Sequence, residues 1–237
     1  MRALAGALGF FSTIPLGRDK ESFESLRRNL WILPIVGILL GALMAVPIFL
    51  LRSFAFLGIL AYLALEGINH IDGLADFGDA LFAPKDRKLK ALKDLNIGVG
   101  AAVTVSIYTF TLMWSFMNVW REPVAIVDSQ MMAKFGMLMM LTTTKPLWGG
   151  MGAYMMEHAK IKDLALGSAI LALTTALIYM IRPEVLFVNI LTICVCLIYR
   201  HYVLRTFGGV NGDMIGAMNC IAFISCLISF SAFRRLP

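Results

Sequence analysis

Long apolar runs separated by short charged loops fill almost the whole chain, and they limit its fold more than any other feature. The first clear run is 30–51, followed by 53–69, 99–120, 124–142, 164–181, 184–199 and 214–232. A helix needs about 20 apolar residues to cross a bilayer, with a range of about 17–25, and it satisfies its own backbone groups there. The pattern predicts an all-α, polytopic integral membrane bundle of six or seven transmembrane helices, forming one domain over residues 1–237. The weakest run is 124–142, which is Met-rich and interrupted by Asp128, Gln130 and Lys134. Composition removes the soluble alternatives. The chain is 59% hydrophobic and 15% charged, against about 45–50% and about 25% in soluble domains.

Charge orients the bundle. Arg27 and Arg28, the cluster Lys85, Arg87, Lys88, Lys90 and Lys93, then Lys145, Lys160, Lys162, Arg200 and Arg205 all fall in loops on one side. The opposite loops hold Arg52, Arg121 and Arg182. Positive-inside bias puts the long loops in the cytoplasm of a multi-pass cell-membrane protein. The terminal Arg234-Arg235 pair conflicts with a seven-span count. The net charge of +6 is read as contact with anionic lipid rather than with nucleic acid. Cys194, Cys196, Cys220 and Cys226 lie in apolar runs without a metal-binding spacing and read as reduced packing residues. Residues 1–16 lack the small-residue cleavage site of a signal peptide. They read as an interfacial or re-entrant piece, or equally as a frayed tail.

The polar chemistry concentrates between Glu66 and Asp79. Asp72, Asp76 and Asp79 share one helical face, within about 60° of one another, with Asn69 a turn earlier and Glu66 at the edge of the stripe. Like charges at such spacings repel, so the array calls for a bound cation. Oxygen donors without cysteine favour Mg²⁺, with Mn²⁺ as a substitute. Because Mg²⁺ commonly combines one or two carboxylates with substrate phosphates, the stripe points to phosphate chemistry. A solvated helix end paired with Lys85, Arg87 and Lys88 is the structural alternative. Gly73 and Gly78 are read as openings that let a bulky ligand approach the helix backbone.

Three further features follow. Lys85 to Lys93 reads as a basic surface segment, either on lipid or rimming a polyanion site. Asn96, Gly98 and Gly100 open the third run, as a helix start suited to phosphate. Gly208-Gly-Val-Asn-Gly-Asp213 precedes the last run, and helix capping alone would account for Asp213. His70 points about 160° from Asp72 on a helix. It reads as a proton carrier or substrate contact, or equally as a packing residue. The Met residues 137, 139 and 140 read as lipid-facing or bundle packing.

These blocks resemble the cobalamin synthase family, adenosylcobinamide-GDP ribazoletransferase. Asn69-His-Ile-Asp-Gly-Leu-Ala-Asp-Phe-Gly-Asp79 is similar to its H-x-D-G-L-A-D-x-x-D signature. Lys93-Asp-Leu-Asn-Ile-Gly98, Gly208-Gly-Val-Asn-Gly-Asp213 and Phe10-Phe-Ser-Thr-Ile-Pro-Leu16 resemble its K-D-S-x-I-G, G-G-x-T-G-D and F-x-T-x-I-P blocks, in the family's order. The chain departs at Ala80, where Gly is common, at Leu95 in place of Ser, and at Asn211 in place of Thr. The resemblance implies a late step of vitamin B12 assembly. Adenosylcobinamide-GDP is joined to α-ribazole, or to its 5′-phosphate, with release of GMP. On that reading Asp72, Asp76, Asp79 and Glu66 hold Mg²⁺. Asp94 and His70 are catalytic, with Asp94 a general base or second-metal ligand. Asn69, Lys93, Asn96, Asn211 and Asp213 contact substrate. A homo-oligomer is compatible with the sequence.

Two other classes stay open. A CDP-alcohol phosphotransferase also uses membrane aspartates and Mg²⁺, but its D-x-x-D-G-x-x-A-R signature has an arginine lacking here. In a divalent-cation transporter, carboxylates would recur at mid-span, where only Asp128 comes close.

Overall fold

The computed structural model describes residues 1–94 and 96–233. Leu95 and the Arg234-Arg235 pair lie outside the described residues, so neither the departure at Leu95 nor the charge conflict at the end of the chain meets a structural test. The described elements are helices, as the apolar periodicity requires. Amphipathic α1 (Arg2–Phe11) and α2 (Lys20–Arg27) precede α3 (Leu33–Leu51), α4 (Gly58–Glu66), α5 (Asn69–Phe82) and the short α6 (Lys88–Ala91). Then come α7 (Val99–Val119), α8 (Pro123–Thr143), the short α9 (Met151–Met156), α10 (Ile161–Tyr179), α11 (Val185–Phe207) and α12 (Gly212–Phe233).

Among the described residues, six stretches are long and apolar enough to cross a membrane. The first two expected spans merge into one stretch, Leu30–Glu66. After a turn at 52–57, the nine-residue α4 packs its first residue, Gly58, against Ile48 of α3 and Phe116 of α7. Gly67, at φ +72°, then breaks the helix before α5. Nine residues are too few to cross a bilayer alone, which is why the count is six by length and apolar content.

The weakest expected span proves to be the central helix. Every residue of α8 from Asp128 to Leu141 is buried, so its polar groups face protein rather than lipid. The methionines at 137, 139 and 140 accordingly pack inside the bundle. Small residues let neighbouring helices close on it. A Cβ on Gly41 of α3 would lie 2.6 Å from the Cα of Val127, and one on Gly136 would lie 3.1 Å from Met218 of α12. The second inner helix is α12, which runs antiparallel to α4 and α5. Tyr62 stacks on Phe223 with centroids 5.5 Å apart, while Gly73 meets the backbone of Asp213.

These pairings bring the start of α3, the end of α5 and the starts of α7, α10 and α12 to one end of the bundle. There α1 and α2 form a cap rather than a frayed tail. Arg27, buried in α2, bonds Glu24, Glu157 and the Tyr154 carbonyl, tying the cap to α9. At the opposite end Arg182 pairs with Glu122 and Glu184. Of the cysteines, 196, 220 and 226 are buried and 194 is exposed, and all four are free thiols.

Candidate functional site

The capped end of the bundle encloses a cavity of about 690 Å³. The chain builds it from four directions. The loop after α1 crosses the α4–α5 break, where Thr13 N–H donates to the Leu65 carbonyl at 2.8 Å and the Thr13 hydroxyl to that of Ala64. Arg18 donates to the Thr13 carbonyl at 2.8 Å. Asn69, His70 and Asp72 of α5, Asp213 at the start of α12, and residues of α8 and α9 complete the wall.

Two carboxylates line this cavity and a third lies near them. Asp72 and Asp213 line the cavity, and Asp76 lies within their electrostatic reach. Burial, together with the charges of Asp213, Asp72 and Asp79, pushes the Asp76 carboxyl up to about 6. No ion pair joins any of these aspartates to Lys85, Arg87 or Lys88 among the described residues. Lys88 instead donates to the Ala80 and Leu81 carbonyls at 2.9 and 2.6 Å, closing the end of α5.

The rest of the expected ligand set is engaged elsewhere. Asp79 accepts from Gly98 N–H at 2.7 Å and Ala101 N–H at 2.8 Å, so it caps α7 from another helix. The α7 start read as a phosphate site is therefore filled by a protein carboxylate. Glu66 accepts from Lys134 Nζ with both oxygens, at 2.9 and 2.7 Å, and Asn219 joins the pair. A buried ammonium thus neutralises the one acidic residue that drifts off the stripe. Gly73 and Gly78 receive helices rather than a ligand. Added Cβ atoms would lie 2.5 Å from the Asp213 carbonyl oxygen and 3.0 Å from that of Gly100. Helix capping at α12 falls to Asn211, not Asp213. Asn211 Oδ1 accepts from Met214 N–H at 3.1 Å, and its Nδ2 donates to Asp213 at 2.6 Å.

Asp94 is exposed, beside Asp79 and Asn96 in a separate shallow pocket of about 260 Å³. It accepts from the backbone and side chain of Asn96 at 3.1 and 2.8 Å, bonds that hold its carboxyl below the usual range. Lys93 lies 4.7 Å over the Trp148 ring. His70 is buried and lines the large cavity. Its Nε2 lies 3.4 Å from Glu66 Oε2 without hydrogen-bond geometry.

Among the described residues, no three His, Cys, Asp or Glu side chains form a ready-made metal cage. The donor set still fits Mg²⁺, which takes hard oxygen ligands and leaves positions for water and substrate phosphate. Asp72, Asp76 and Asp213 supply such oxygens, without a cationic partner among the described residues.

The pattern of the cobalamin-5-phosphate synthase family matches residues 3–231. The chain belongs to this family. Two Archaeoglobus fulgidus proteins, both named adenosylcobinamide-GDP ribazoletransferase, are 44% and 42% identical to it. The first match covers 95% of each chain and the second covers both completely. A Pyrococcus abyssi protein of the same name is 35% identical over 94% of this chain and 95% of its own. No solved structure matches the chain. Sequence reasoning missed Lys134, Asn219 and Arg18. Lys134 carried a signal, as a lysine inside an apolar run needs a buried partner.

Proposed function

We propose that this chain is an adenosylcobinamide-GDP ribazoletransferase. The ribose hydroxyl of α-ribazole, or of its 5′-phosphate, attacks the cobinamide-linked phosphorus, forming a P–O bond. The bond to GMP breaks, and GMP departs with the electron pair. The reading is supported by the family match and by the relatives' names. The structural observation that carries it is a cavity lined by Asp72 and Asp213, with Asp76 within their electrostatic reach.

Those three carboxylates would hold Mg²⁺, with Asn211 fixing the Asp213 side chain. Mg²⁺ bound there supplies charge neutralisation for the diphosphate and for the oxygen that leaves with GMP. His70, which lines the cavity, takes the hydroxyl proton. Asn69 and Arg18, at the rim, orient the polar parts of the substrates. Glu66 leaves the ligand set and Asp79 acts by shaping the α5–α7 junction. Asp94, Asn96 and Lys93 form a polar margin beyond it. The basic loops at this end support a mouth that opens to the cytoplasm.

The test is GMP release at limiting Mg²⁺ by Asp72→Asn and Asp213→Asn proteins. Each loses about 10²-fold or more in turnover if these groups support the developing charge. Unchanged turnover in both would remove the metal assignment.

A further inference from the structure

The wall of the large cavity is divided by chemistry. Polar groups come from α5, the start of α12, Glu66 and the loop that carries Thr13 and Arg18, while α1, α8 and α9 contribute Phe10, Phe11, Met137, Leu141 and Met155. Phe11, Met137, Leu141 and Met155 are buried, so this apolar wall is built into the bundle rather than exposed to lipid. Phe10 and Phe11 meet edge to face with centroids 4.8 Å apart, which fixes their rings. Small-molecule sites have volumes of about 300–1,000 Å³ and are mostly apolar with a few placed polar groups. At about 690 Å³ this cavity suits a nucleoside. It does not suit a corrinoid macrocycle carrying both an adenosyl group and a GDP tail.

We propose that the cavity is the acceptor subsite. The fused aromatic base of the nucleoside lies against Phe11, Met137 and Met155, and its ribose faces His70 and Asp72. The corrinoid substrate then stays outside, presenting its diphosphate to the carboxylates at the mouth. Methionine side chains adapt to planar rings and make favourable sulfur–aromatic contacts, so Met137 and Met155 set the size of the base accepted. This inference rests on the ribazole-transfer reading and adds to it which substrate enters the protein.

The experiment measures KM separately for α-ribazole and for adenosylcobinamide-GDP, using GMP release by the purified full chain. Met155→Trp, which fills the apolar end, raises KM for α-ribazole about tenfold or more and leaves KM for the corrinoid substrate nearly unchanged. Met155→Ala shifts preference toward ribosides of a larger three-ring base. The unmodified protein provides a check that does not depend on either variant folding. Its KM climbs as the base of the riboside grows from benzimidazole to naphthimidazole. A rise confined to the corrinoid KM in Met155→Trp, or indifference of the unmodified protein to base size, would overturn the subsite. Absence of any α-ribazole-dependent GMP release from the unmodified protein would instead remove the transferase reading itself.

Discussion

Lys134 Nζ lies 2.7 Å from Glu66 Oε2, and both side chains are completely shielded from solvent. The pair joins the centre of α8 to the end of α4, and Asn219 of α12 closes the triangle at 2.8 Å from Lys134. Its Glu66 lines the cavity and lies 3.4 Å from His70 Nε2. Removing one member of a buried pair strands the other charge, at a cost of about 3–5 kcal/mol. Lys134→Met is therefore expected to lower thermal stability in detergent sharply. The double variant Lys134→Met with Glu66→Gln should recover much of the loss, because no uncompensated charge remains. Equal melting temperatures for the single and double variants would contradict this pairing.

Gly73 carries the α5–α12 crossing. A Cβ there would lie 2.5 Å from the Asp213 carbonyl oxygen and 2.9 Å from its Cα. Gly73→Val must push α12 away and take the Asp213 carboxylate with it. The expected result is a fall in turnover of about 10²-fold, since misplacement of about 1 Å is costly in catalysis. Metal titration should show weakened Mg²⁺ dependence in the same protein. Wild-type turnover would show that Asp213 need not be held against α5.

Asp79 separates capping from metal binding. Its carboxylate closes two N–H groups at the start of α7, so Asp79→Ala should cost about 1 kcal/mol, within the range of 0.5–2 for lost caps. Asp79→Asn keeps one acceptor oxygen and should retain more of the stability. Neither change should shift the Mg²⁺ concentration for half-maximal rate as far as Asp72→Asn does. A larger shift for Asp79→Asn than for Asp72→Asn would restore Asp79 as a principal ligand.

Much of this arrangement was legible in the sequence, and the remainder was hidden for physical reasons. Hydropathy marks the helices because lipid demands apolar length. It could not reveal that α4 has only nine residues, since the turn at 52–57 takes up the start of the 53–69 run without interrupting its apolar character. Helical spacing put Asp72, Asp76 and Asp79 on one face. Spacing within one helix does not reveal neighbours, and here α7 engages Asp79 while α12 brings Asp213 to the other two. Glu66 looked like part of the same stripe because its partner, Lys134, is 68 residues away in sequence. Gly73 and Gly78 announced a close approach, but not that the approaching group would be another helix.

The aspartates at the cavity are proposed to serve metal-dependent transfer onto α-ribazole. GMP release by purified protein in liposomes tests it most directly, with adenosylcobinamide-GDP, α-ribazole and Mg²⁺ supplied together and then omitted one at a time. GMP and a cobalamin product are expected in equal amounts, lost on omission of α-ribazole and abolished by EDTA. Product formed at an undiminished rate in EDTA, by protein stripped of bound metal, would contradict it.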